Sequence, residues 1–209
     1  MPLPLLFVIG DSISLQYGPY LASYVEGRFA YSRKCDEGEA LLNLDRPQGS
    51  NGGDSSMVRE YLTGLQASGV FHPDLLLLNC GLHDIKTDPS SGAQQIPLPQ
   101  YRENLRAILA LIRALDIRLL WVRTTPVEDA RHNTLNAEFH RHQSDVDAYN
   151  AAADEIMREA GVPLLDLHTF TRTLGEDIYC DHVHFTEAVR QLQGAYIAGY
   201  VSAMAPPPS

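Results

Sequence analysis

Apolar residues fall along this chain in two alternating patterns. Leu5-Leu6-Phe7-Val8-Ile9, Leu75-Leu76-Leu77-Leu78 and Arg118 to Val122 are short and nearly continuous runs. Runs of this length, closed by Gly10, Gly81 and Thr124-Thr125-Pro126, predict strands buried on both faces. Arg28 to Tyr31 and Val162 to Leu167 predict weaker strands. Between them lie segments of helical period: Ser14 to Val25, Asp54 to Leu65, Tyr101 to Leu115, Val146 to Ala160 and Thr186 to Met204. Asp54 or Ser55 is placed to cap the second helix, and Gly161 to end the fourth. The polar segment Glu128 to Asp145 is long for a connection, so it reads as a substrate-covering loop or as a further helix.

Strands alternating with helices predict an α/β three-layer sandwich with a mostly parallel sheet of about five strands. With no linker or repeat visible, residues 1–204 are expected to form one domain, and the Pro-rich 205–209 a frayed tail. In such sheets ligands bind beyond the carboxyl ends of the strands. The loops after Ile9, Asn79, Val122 and Leu167, and the one after the second strand, are therefore where chemistry is expected.

The 209 residues are 44% hydrophobic and 20% charged, with a net charge of −10. That field repels polyanions and argues against nucleic-acid binding. No run approaches the length of a membrane span, and the N-terminal apolar run lacks the basic leader of a signal peptide. A cytoplasmic protein is the default expectation, although a leader trimmed from the chain would not show. Cys35, Cys80 and Cys180 are odd in number and widely spaced, which fits neither a disulfide framework nor a zinc cluster. Cys80 and Cys180 are read as packing residues.

Four fragments carry candidate chemistry. In Gly10-Asp11-Ser12, the serine follows a strand and opens a helix, where the helix dipole favours an anion. Alone, this is more often a helix cap. Asn51-Gly52-Gly53-Asp54-Ser55 can turn backbone N–H groups toward an anion, or simply make a tight turn. Asn79-Cys80-Gly81-Leu82-His83-Asp84 follows the second buried strand. In Asp181-His182-Val183-His184, the three-residue spacing brings a carboxylate to an imidazole, as a base needs when it activates a serine. His182 and His184 with an aspartate also allow a metal reading. Arg123, Arg131 and His132 are candidates for binding a polar substrate, although solvated charge is the commoner outcome for such residues.

Taken in order, the four fragments resemble the blocks of the SGNH (GDSL-like) hydrolases, and the resemblance spans almost the whole chain. It implies a flavodoxin-like fold, a Ser12, His184 and Asp181 triad, and an oxyanion hole from Ser12, Gly53 and His83. It assigns Asp11 to supporting the loop by hydrogen bonds. One position departs from the pattern: His83 stands where the family usually has asparagine. The implied activity is ester hydrolysis through an acyl-enzyme, with no cofactor and no metal. By family analogy the substrate is a small-molecule or carbohydrate ester with a short acyl group, acetyl for example. The alternatives are a binding protein that has lost turnover, a lipase- or thioesterase-type hydrolase, and an acyltransferase. No nucleic-acid or membrane partner is implied.

Overall fold

The computed structural model describes residues 2–34 and 37–204. Cys35 and the 205–209 tail therefore lie outside the described residues.

Five parallel strands form one sheet in the order β2-β1-β3-β4-β5. They are β1 (Leu5–Ile9), β2 (Ala30–Arg33), β3 (Leu75–Leu78), β4 (Leu119–Val122) and β5 (Leu164–Leu165). The three continuous apolar runs occupy the middle of the sheet, where both faces are covered. Leu76, Leu78, Leu120 and Trp121 have no exposed surface.

Helices α1 (Ser12–Tyr24), α7 (Leu167–Arg172) and α8 (Glu187–Met204) pack as one group. Helices α3 (Ser55–Ser68), α4 (Leu98–Ala114) and α6 (Gln143–Glu159) pack as another. The two groups flank the sheet, giving the expected three layers. The strand order reverses direction at β1, next to β3. Open parallel sheets place ligands at such switch points.

The differences from the sequence expectations have local causes. Helix α1 begins at Ser12, because the Asp11 carboxylate accepts the Ile13 N–H at 3.0 Å and caps the first turn. Strand β5 keeps only Leu164–Leu165, because Asp166 accepts the Thr169 N–H at 2.9 Å and starts α7 instead. Helices α2 (Glu37–Leu42) and α5 (Asp129–Leu135) are short and have no signature in the hydrophobic pattern. The segment Glu128 to Asp145 holds α5, an extended stretch bridged to Thr87 at His140, and the start of α6. Among the described residues, no helix is long and apolar enough to cross a membrane.

Candidate active site

Ser12 is the first residue of α1, at the carboxyl end of β1. An N–H in the first turn of a helix has no intrahelical acceptor, so that of Ser12 is available to a ligand. Asp11 is buried and works through hydrogen bonds: its carboxylate caps the helix, and its carbonyl accepts from Ser14 Oγ at 2.7 Å.

The acid and the base sit on one tight loop before α8. Asp181 Oδ1 accepts the N–H groups of Val183 and His184 at 2.8 and 2.7 Å. Asp181 Oδ2 accepts a hydrogen bond from His184 Nδ1 at 2.7 Å. Burial works to raise the Asp181 pKa. The three hydrogen bonds outweigh it and hold the carboxyl well below its usual range, so it stays ionised. His184 then presents Nε2 to Ser12 Oγ at 2.8 Å. The loop is closed by Cys180 N–H to His184 O at 2.8 Å and Thr186 N–H to Ile178 O at 2.8 Å. Arg131 clamps it from outside, with Nε donating to Asp181 O and Nη2 to Tyr179 O. Arg131, a candidate for binding a polar substrate, thus has two backbone partners on this loop. Its guanidinium braces the loop that carries the acid and the base.

Gly53 is delivered to the same place by its own loop. Gly52 N–H donates to Gly10 O at 2.8 Å, which stitches that loop to the end of β1. Lys34 Nζ donates to the carbonyls of Gly49 and Asn51. Gly53 has φ 72°, and a Cβ there would lie 2.5 Å from Met57 Sδ, so glycine is required. Its N–H is engaged, donating to Asn51 Oδ1 at 3.0 Å. An oxyanion would have to share that donor with Asn51 or take it over.

His83 follows β3 and is 1% exposed. Its Nδ1 is buried without a partner. Burial, then the charges of Lys86 and Arg141, hold its pKa well below the usual histidine value, so the ring is neutral and can donate one hydrogen bond. Asn79 lies outside the oxyanion question, because its amide bridges β3 to β4 by donating to Val122 O at 2.8 Å.

His132 is also buried, and it belongs to a second chain of side chains that the sequence did not suggest. Asp45 Oδ2 lies 3.1 Å from His182 Nε2, and His182 Nδ1 lies 2.9 Å from His132 Nδ1. Beside it, Arg141 is 2% exposed and donates from Nε to Leu82 O at 2.7 Å. Both Arg141 and Lys86 rest on the Phe139 ring, at 4.8 and 4.2 Å. The segment between α5 and α6 thus walls the site with charged and polar groups. Arg123 pairs instead with Asp154 and Asp166 at 3.3 and 2.8 Å. Cys80 is a buried packing residue as expected, but Cys180 is exposed, its Sγ accepting from Arg190 Nη2 at 3.3 Å.

Asp181, His182 and His184 bring ligand atoms within 4.8 Å of one another, the arrangement behind the metal reading. However, both ring nitrogens of His184 and both of His182 already have hydrogen-bond partners. A cation would have to break those bonds to bind.

Asp84, next to His83, gives a stability prediction. It is fully buried, Oδ1 accepts the Ser55 N–H at 2.9 Å, and Oδ2 has no partner. Burial pushes its pKa up to about 8. The native state therefore keeps a proton that the unfolded chain loses near pH 4. Its contribution to stability is full below about pH 4 and is lost as pH rises toward 8. Asp84→Asn mimics the neutral form, so its melting temperature relative to wild type should rise between pH 5 and pH 8. A constant or falling difference in thermal melts at the two pH values would refute this.

The sheet order, the serine at the end of the first strand and the D-x-x-H loop facing it define an α/β hydrolase of the SGNH type. Residues 8–192 match the model of the GDSL-like lipase/acylhydrolase family, and the chain belongs to that family of ester-cleaving enzymes. It is 26% identical over 186 residues to the isoamyl acetate-hydrolyzing esterase 1 homolog of Bos taurus, covering 83% of this chain and 70% of that protein. Its fold is similar to that of a lipase/acylhydrolase from Enterococcus faecalis, with a TM-score of 0.72 at 16% identity, covering 99% and 100% of the two chains. It is also similar to an acetyl xylan esterase, with a TM-score of 0.68 at 13% identity over 94% and 98%.

Proposed function

We propose that the protein is a serine ester hydrolase that removes a short acyl group from a polar or carbohydrate alcohol. The observation that carries this reading is the unbroken chain Ser12 Oγ to His184 Nε2 at 2.8 Å and His184 Nδ1 to Asp181 at 2.7 Å, at the start of α1. A serine hydroxyl becomes nucleophilic when a base takes its proton as the bond to carbon forms. In this reading Ser12 Oγ attacks the carbonyl and its proton passes to His184 Nε2. Asp181 stabilises the imidazolium. The Ser12 N–H and the neutral His83 ring donate to the oxyanion, with Gly53 N–H joining them as it is shared from Asn51. His184 then protonates the leaving alcohol, and water repeats the sequence on the acyl-enzyme.

Acetyl is favoured because two similar proteins carry acetate esters in their names. The polar wall formed by Lys86, His132 and Arg141 favours a polar alcohol over a fatty one. The substrate is thus a small molecule or a carbohydrate, and the net charge of −10 disfavours a nucleic-acid partner.

A fluorophosphonate label tests the nucleophile. One adduct is expected per chain, on the peptide that carries Ser12. An adduct elsewhere, or none, would reject Ser12 as nucleophile. His83→Ala should lower kcat about 100- to 1,000-fold, the cost of losing one oxyanion donor. Because His83 is neutral, His83→Asn should restore most of that rate and leave the pH profile between 5 and 9 unchanged. An extra ionisation in the wild-type profile that is absent from His83→Asn would contradict the neutral donor.

A further inference from the structure

The chain Asp45–His182–His132 fixes the proton positions of its own members. Burial works to raise the Asp45 pKa, but the hydrogen bond from His182 and the nearby cationic groups, Arg141 among them, together outweigh it and keep the carboxyl below its usual range, so it is ionised and accepts only. With His182 in its neutral form, its proton then sits on Nε2, which leaves Nδ1 as an acceptor. His132 must then carry its proton on Nδ1, to donate across the 2.9 Å contact. This leaves His132 Nε2 as a bare acceptor in a residue with no exposed surface, and it has no partner. Two more atoms in this cluster are buried and unpartnered: Arg141 Nη1, a charged donor, and Asp45 Oδ1, an acceptor. Buried polar atoms are nearly always paired, so three in one cluster call for an explanation.

The cluster adjoins the reacting groups. The rings of His182 and His184 lie 5.8 Å apart, and those of His132 and His182 lie 4.7 Å apart. Phe139 stands against both ends of the pair, 5.6 Å from the His132 ring and 4.8 Å from the Arg141 guanidinium.

We propose that His132 Nε2 and Arg141 Nη1 form a hydroxyl-recognition subsite, which selects an ester whose alcohol carries a second, free hydroxyl. A hydroxyl donates one hydrogen bond and accepts others, matching the acceptor on His132 and the donor on Arg141. A carboxylate or phosphate matches less well, because it brings acceptors only and would face both His132 Nε2 and Asp45 Oδ1. This inference rests on the esterase reading of the same site and names the specificity residues within it.

Two measurements test it. The first is the ratio of kcat/KM for 2-hydroxyethyl acetate to that for propyl acetate, each divided by its rate with hydroxide. Wild type should favour the hydroxylated ester about tenfold or more, because a site built to bond a hydroxyl discriminates against an analogue that lacks one. His132→Leu should bring the ratio close to one. Asp45→Asn should lower it in part, because an amide can donate as well as accept and no longer fixes the tautomers. A ratio near one in wild type, or an unchanged ratio in His132→Leu with both rates lowered together, would overturn the subsite. The second measurement is the imidazole 15N spectrum of wild type, which requires no turnover. It should show His182 protonated on Nε2 and His132 protonated on Nδ1, with the His132 Nε2 resonance shifting as glycerol is added. The opposite tautomer at His132, or an Nε2 signal indifferent to molar glycerol, would overturn the proposal even for a protein that hydrolyses neither ester. Loss of hydrolysis in Ser12→Ala bears on the proposed nucleophile alone.

Discussion

His184→Ala is expected to lower kcat on a short activated ester by about a million-fold, to the level left by substrate binding and the oxyanion donors. The expectation comes from where the ring sits. Its Nε2 is 2.8 Å from Ser12 Oγ, and the residue is 2% exposed, so water cannot readily replace it as base. Among the described side chains, it is the only titratable group hydrogen-bonded to Ser12 Oγ. KM should change little, because the ring works in the transition state and not in ground-state binding. Addition of free imidazole should restore part of the rate in the vacated space. Retention of more than about one part in a thousand of the wild-type kcat, without added base, would remove His184 from the general-base role.

Asp181→Asn should cost about 10,000-fold in kcat with the fold intact. The amide can keep one acceptor oxygen for the backbone N–H groups of Val183 and His184. Its nitrogen then faces His184 Nδ1 and donates to it. That forces the ring into the tautomer with Nε2 protonated, which cannot accept the serine proton. The prediction separates orientation from anchoring. Thermal stability should fall modestly while turnover collapses. If stability and activity were lost together, Asp181 would be a loop anchor first, and its two amide hydrogen bonds would be its main contribution. A loss under about tenfold would mean that Arg131 and the Cys180–His184 backbone pairing hold the ring without it.

Features set by local sequence were legible before the structure. The three continuous apolar runs became the central strands because only strands covered on both faces tolerate such runs. Asp181 and His184 could be paired from their spacing, because an aspartate bonding the N–H groups two and three residues ahead turns the chain back on itself. Helices α2, α5 and α7 were hidden, since one or two turns are too few for a periodic pattern to show. The end of β5 was hidden by Asp166, a single capping residue inside an apolar stretch. The second histidine chain was illegible for another reason. Asp45 meets His182 across 137 positions and His132 meets it across 50, and no local spacing links the three. Arg141 and Phe139 lie in a polar segment without a motif, and the bridge between Thr87 and His140, with the Arg141 bonds to Asn133 and Leu82, holds them in place. The replacement of asparagine by His83 was visible, but its protonation state was not. That depended on its burial and on Lys86 and Arg141, which the fold brings close.

Ser12 is expected to form an acyl-enzyme. The most direct test is rapid-mixing hydrolysis of p-nitrophenyl acetate, with wild type and Ser12→Ala side by side and the protein quenched for intact mass. One acetyl group per wild-type chain is expected in the first turnovers, located on Ser12, with neither acetylation nor steady hydrolysis in the variant. Equal rates in the two proteins, or acetyl transfer to another residue, would contradict it, and the metal-dependent reading or that of a binding protein on a hydrolase scaffold would take its place.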